Sequence, residues 1–141
     1  MPIETKTRKI TSFPPYAIYK PPRIPMKDLN QIVMTFEEFE AIRLFDYLKK
    51  DQNEAAELMT ISQPTFSRTL NSARKKLAIA IVEGQALVLE GGTITIACFI
   101  YKCNRCSYQW SRKDSIQVTK CKQCDSDDIE RIYDGSNYKN P

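Results

Sequence analysis

The sequence predicts an α+β chain: a three-helix helix-turn-helix domain, then a β-hairpin, then a small four-cysteine zinc ribbon. Three observations predict it. Residues 35–84 carry apolar side chains at helical spacing, punctuated by cap signals. Residues 85–141 read as short strands. Four of the five cysteines fall in two C-x-x-C pairs, Cys103/Cys106 and Cys121/Cys124. The expected domains are a basic, proline-rich arm over 1–34, the helix-turn-helix domain with its hairpin over 35–92, and the ribbon over 93–141.

The arm holds six of the eight prolines, with lysines and arginines between them. Lys20-Pro21-Pro22-Arg23 is stiff, extended and basic, resembling arms that track a DNA minor groove. The other reading is that Tyr16, Tyr19 and Ile24 pack across the helices.

The first helix starts at Thr35, which forms a capping box with Glu38; Met34 and Phe39 can staple its entry. Phe36, Phe39, Ala41, Ile42, Leu44, Phe45 and Leu48 form a broad apolar stripe. Glu40-Ala41-Ile42-Arg43-Leu44 reads as a core face with one surface ion pair. Asp51 and Glu54 open a short second helix over 52–59, with Ala55, Ala56 and Met59 inward. Thr60-Ile61 makes the turn. Ser62 caps a third helix over 63–83, with Pro64 in its first turn, where a missing N–H costs little. Gly84 is its stop.

A helix-turn-helix needs a small residue at the crossing, here Ala56, and an apolar turn residue, here Ile61. At about 100° per residue, Phe66, Leu70, Ala73 and Leu77 share one arc of the third helix. The opposite arc carries Pro64, Ser67, Arg68, Asn71 and Lys75, and with Ser62, Gln63, Thr65 and Arg74 these are the candidate DNA-contacting residues. Asn and Gln can pair with adenine and Arg with guanine, while Lys and Ser can hold phosphate. A polar outer face is also what any solvated helix presents. Ala78 to Val82 continue the helix with apolar residues that one copy of the domain would struggle to cover, so a homodimer is expected.

Glu90-Gly91-Gly92-Thr93 reads as a two-residue turn joining strands Ala86–Leu89 and Thr93–Tyr101. Fourteen residues separate the two C-x-x-C pairs. Four thiolates from two tight turns can surround one structural Zn2+ as a tetrahedron; Fe in a rubredoxin-like centre would use the same ligands. Thiolate in all four positions leaves no place for a catalytic water. The residue after each knuckle needs a positive φ, yet it is Ser107 and Asp125, not glycine. Cys98, in an apolar run, reads as a small buried hydrophobe.

Lys+Arg is 21 against 17 Asp+Glu, a net charge of +4 that permits nucleic acid as a partner without demanding it. There is no histidine, which excludes Ser-His-Asp and Cys-His catalysis and any His-ligated metal. No apolar run reaches the roughly 18 residues of a membrane span, and the N-terminus does not read as a signal peptide. The expected compartment is therefore cytoplasmic, with no membrane partner and no small-molecule substrate in evidence.

Ser62-Gln63-Pro64-Thr65-Phe66-Ser67-Arg68 with Ala73-Arg74-Lys75-Lys76-Leu77 resembles the DNA-reading helix of sigma-factor region 4. More closely, Tyr19-Lys20-Pro21, Ile24-Pro25, Glu40–Leu44, Glu54-Ala55-Ala56, Thr65-Phe66, Ala73–Lys76 and Glu90-Gly91-Gly92 resemble a prokaryotic family, domain of unknown function 134 (uncharacterised protein family 0251). The match runs in order over about residues 13–92. It implies a DNA-binding regulator. Two positions depart from the family's pattern: Gln63 stands where Arg is usual, and Arg23 where a small residue or Gly is usual. The expected function is a transcription-regulator-like binder of double-stranded DNA, not an enzyme. The alternatives are a zinc-ribbon adaptor docking on a protein complex such as the transcription machinery, and a rubredoxin-like iron electron carrier.

Overall fold

A computed structural model of the chain describes residues 8–10, 12–91, 94–96, 99–112 and 118–133, with backbone only at 8, 9, 94–96 and 133. The chain forms two units, residues 1–10 with 17–95 and residues 11–16 with 96–141.

Strands β1 (Arg8–Ile10), β2 (Ile18–Tyr19) and β3 (Gln31–Met34) precede helices α1 (Phe36–Ile42), α2 (Gln52–Leu58) and α3 (Gln63–Glu83). Strands β4 (Ala86–Leu89) and β5 (Ile94–Ile96) follow. The caps are those the sequence predicts. Thr35 accepts from the Glu38 N–H and completes a capping box; Asp51 accepts from the Glu54 N–H; Ser62 accepts from the Thr65 N–H. α1 runs on as a π-helical turn over Arg43–Tyr47, with the Leu48 N–H reaching the Arg43 carbonyl at 2.8 Å. Glu40-Ala41-Ile42-Arg43-Leu44 does turn a core face inward, but its ion pair is not at the surface. Arg43 Nε meets Glu40 Oε1 at 2.5 Å, with the Glu40 side chain 1% exposed.

The turn between α2 and α3 closes a Schellman motif. The Ile61 N–H donates to the Ala56 carbonyl and the Thr60 N–H to the Glu57 carbonyl, both at 3.0 Å. Thr60 takes φ 58°, which a β-branched side chain tolerates poorly. Ala41, Leu44, Ala55, Ala56, Met59, Phe66 and Leu70 form the buried helical core, with Ile42, Phe45 and Ile61 packed against it.

The expected hairpin after β4 does not form. β4 is the central strand of a three-stranded sheet, antiparallel to β2 and parallel to β3. Both its edges are taken, so no edge is left for a returning strand. The pairing with β3 continues past the strand ends: the Glu90 N–H donates to the Met34 carbonyl and the Phe36 N–H to the Gly91 carbonyl. Gly91, at φ 76°, thus continues that ladder; Gly92 and Thr93 lie outside the described residues. The three helices are the crossover that joins β3 to its parallel neighbour. β1 pairs instead with β5. The stretch read as an arm therefore contributes two of the three strands of this sheet.

In the second unit, β6 (Phe99–Cys103) lies between antiparallel β7 (Gln109–Arg112) and β8 (Ile129–Tyr133). The Pro15 carbonyl accepts from the Gln109 N–H, and the Pro14 carbonyl from the Gln109 amide at 3.0 Å. Those two bonds satisfy a glutamine only 3% exposed.

Candidate nucleic-acid interface and metal centre

α3 divides lengthwise. Phe66, Leu70 and Ala73 are buried and face the helical core. Gln63, Pro64, Arg68, Asn71 and Lys75 are exposed, and Thr65 and Ser67 half-buried. Ser62 is exposed, but its hydroxyl also donates to Thr65 Oγ1 at 2.8 Å, completing the cap. Arg74 is exposed but engaged: its Nε and Nη2 fork onto Asp46 at 3.1 and 2.5 Å, and its guanidinium sits 5.3 Å from the Phe45 ring centre. The Arg74 hydrogen bonds hold the Asp46 carboxyl below its ordinary value. Arg74 thus locks the π-helical turn to α3.

A second lock holds α1 to α3. Glu38, 5% exposed, accepts from Lys76 Nζ at 2.7 Å, Ser72 Oγ at 2.5 Å and the Thr35 N–H at 2.9 Å. Burial alone would raise its carboxyl; these donors outweigh burial and hold it below the ordinary range. Sequence reading found the capping box but missed Ser72 and Lys76, which lie more than thirty residues away in the chain.

The four cysteine sulfurs of Cys103, Cys106, Cys121 and Cys124 all lie within 4.8 Å of one another. Cys103 and Cys124, and Cys106 and Cys121, are 3.6 Å apart. A tetrahedron of sulfurs at the usual Zn–S length of about 2.3 Å has edges of about 3.8 Å, so the cluster fits a single ion. Each knuckle is built alike. The Arg105 and Cys106 N–H groups donate to Cys103 Sγ, and the Gln123 and Cys124 N–H groups to Cys121 Sγ. The chain then reverses at Ser107 (φ 65°) and Asp125 (φ 64°), the positive φ that the sequence anticipates at both. The Cys106 and Arg105 N–H groups bring the Cys103 thiol down to about 7. The Tyr108 N–H favours the Cys106 thiolate, but burial and the neighbouring sulfurs push that thiol up to about 12. An ion held there would supply the positive charge that lets all four exist as thiolates together. Trp110 stacks between Tyr101 and Tyr108 against this cluster, with centroids 5.7 and 5.8 Å away. Cys98 lies outside the described residues.

Among the described residues, no helix is long and apolar enough to cross a membrane. A model of the family described as "protein of unknown function DUF134" matches residues 3–97. A UPF0251 protein of Chloroherpeton thalassium is 42% identical over 130 residues, 92% of this chain and 86% of that protein. One of Pelotomaculum thermopropionicum is 39% identical over 132 residues, 94% of this chain and 99% of its own length. One of the archaeon Methanothermobacter thermautotrophicus is 40% identical over 132 residues, 94% of this chain and 68% of that protein. No solved structure matches the chain. With the family's pattern matched over most of its length, and relatives similar from end to end, the chain belongs to the DUF134, or UPF0251, family.

Proposed function

We propose that the protein is a sequence-specific binder of double-stranded DNA, a cytoplasmic transcriptional regulator without enzymatic activity, carrying a structural zinc ribbon. The observation that carries this reading is the division of α3, buried along Phe66, Leu70 and Ala73 and exposed along Gln63, Arg68, Asn71 and Lys75. A helix held from behind and presenting amide and guanidinium groups in front suits a major groove. Arg68, Asn71 and Gln63 read base edges. Lys75 holds phosphate, and at the N-terminal end of α3 the Ser62 and Thr65 hydroxyls face the backbone, the Thr65 N–H being taken by the cap and Pro64 having none. Ser67 and Pro64 make van der Waals contact beside them. Arg74 reaches phosphate only by exchanging its Asp46 partner.

Cys103, Cys106, Cys121 and Cys124 hold the zinc, whose role is to tie the two knuckles together and fold the small unit around Trp110. Two copies pair through the end of α3, where Ile81 and Val82 are 79% and 82% exposed. The test is a mobility shift of random duplex DNA by the zinc-loaded full chain at rising salt. Binding should weaken linearly on a log–log plot, with a slope set by the number of phosphates held. A protein-docking adaptor would shift no duplex at any salt.

A further inference from the structure

We infer that the hollow between α1, α3 and the β2–β4–β3 sheet binds a small amphiphile with an apolar body and one anionic head. The hollow holds about 510 Å³. That lies within the range of small-molecule sites, roughly 300–1,000 Å³. Its floor is recessed: Met34, Leu87 and Leu89 line it, yet are only 2%, 7% and 4% exposed. A face shaped for a protein partner would hold its apolar side chains out to solvent. Here the exposed apolar side chains, Ile81 and Tyr19, stand at the rim, with Ile81 on the flank where two copies are proposed to pair, and Phe39, Ile42 and Leu77 are half-buried. Phe39 and Leu77 form walls, so the interior offers an apolar body nothing to hydrogen-bond.

The mouth differs. Lys20 is the charged residue among those lining the hollow, and Gln85 is the lining side-chain amide. Lys20 Nζ donates to the Ile24 carbonyl at 2.6 Å and to the Pro21 carbonyl at 3.5 Å. Carbonyl oxygens orient an ammonium without neutralising it, and among the described residues no carboxylate lines the hollow. A cation held by carbonyls at the edge of an apolar recess is complementary to a carboxylate or similar monoanionic head, and the Gln85 amide can donate to the same group. The site is separate from the exposed face of α3 and does not depend on DNA binding.

The test titrates the full, zinc-loaded chain, labelled with 13C at the methionine methyls, with octanoate and separately with 1-octanol, without DNA. The Met34 methyl should shift saturably with one equivalent of either probe, while Met59, buried in the helical core, should stay still. Lys20→Gln, a change at an exposed position, should weaken octanoate binding about tenfold and leave 1-octanol binding unchanged. The inference is overturned by any of three results: no Met34 shift with either probe, equal shifts at Met34 and Met59, or a Lys20→Gln protein that binds octanoate as the parent does. A Met34 resonance that follows protein concentration instead of probe also overturns it, and assigns the hollow to a second copy.

Discussion

Glu38 is the place where one substitution tests how the first helix is held to the third. Glu38→Ala removes three things: the reciprocal half of the α1 capping box, the acceptor of Ser72 and the partner of Lys76. Loss of a cap costs about 1 kcal/mol. A hydrogen bond to a charged group contributes about 1.5–3 kcal/mol when buried, and the Glu38 side chain is 7% exposed. Lys76, 28% exposed, can turn to water once released, so that figure is roughly halved. The expected loss is about 2–3 kcal/mol. Glu38→Gln keeps the cap on its one carbonyl oxygen and turns its NH2 toward Ser72, whose hydroxyl must then accept instead of donate, so the charge is what it loses and it should cost about 1 kcal/mol. pH separates the terms. The folded carboxyl lies below its unfolded value of about 4.3, so its contribution is complete above that value and is lost as pH falls through the folded value. The gap between parent and Glu38→Gln should therefore be constant from about pH 6 to 8 and close in acid. Urea unfolding followed by helical circular dichroism measures both. A Glu38→Ala protein within about 0.5 kcal/mol of the parent, or a Glu38→Gln gap that persists unchanged to pH 3, would refute the reasoning.

Four further outcomes are expected. Lys75→Ala should weaken binding to all duplex sequences alike and reduce the salt slope by about one unit. Arg74→Ala should instead lower the stability of the helical unit by about 1 kcal/mol, because the Asp46 fork and the Phe45 contact go with it; thermal unfolding checks this. Chelation, or Cys103→Ser, should abolish the Trp110 fluorescence signature while helical circular dichroism survives, because the helical core is complete without the ribbon. Ser107→Gly should raise the melting temperature of the metal-loaded ribbon, relieving roughly 1–2 kcal/mol of left-handed strain against about 0.5–1 of added unfolded-state freedom.

The helices were legible because their signals are local. Thr35, Asp51 and Ser62 cap from one turn away, Gly84 stops α3 at φ 67°, and the side of α3 that turns inward follows from the spacing of Phe66, Leu70 and Ala73. The knuckles were legible for the same reason, each being a four-residue turn whose strain at Ser107 and Asp125 is written in the residue type. The sheet was not, because its pairings join residues far apart in sequence. Ile18 meets Val88, and Gln31 meets Ala86 across three helices. One signal was there to be used. Ala86-Leu87-Val88-Leu89 is apolar at every position, as a strand flanked on both edges and covered on both faces would be, whereas a half-exposed hairpin strand alternates. Gly91-Gly92 looked like a turn because glycine permits one, but it does not dictate where the following strand pairs. Prolines in 1–34 masked Gln31–Met34, whose β-branched pair Ile32-Val33 favours a strand. Arg23 adopts φ 67°, in the left-handed region that favours glycine.

The exposed face of α3 is proposed to read DNA sequence. Selection from a random duplex library by the zinc-loaded full chain, run in parallel with Arg68→Ala and Asn71→Ala, tests it most directly. The parent should enrich one motif. Each variant should bind that motif about 1–3 kcal/mol more weakly and relax selection at its own base position. Enrichment of no motif, or of the same motif with the same affinity by parent and both variants, would contradict it.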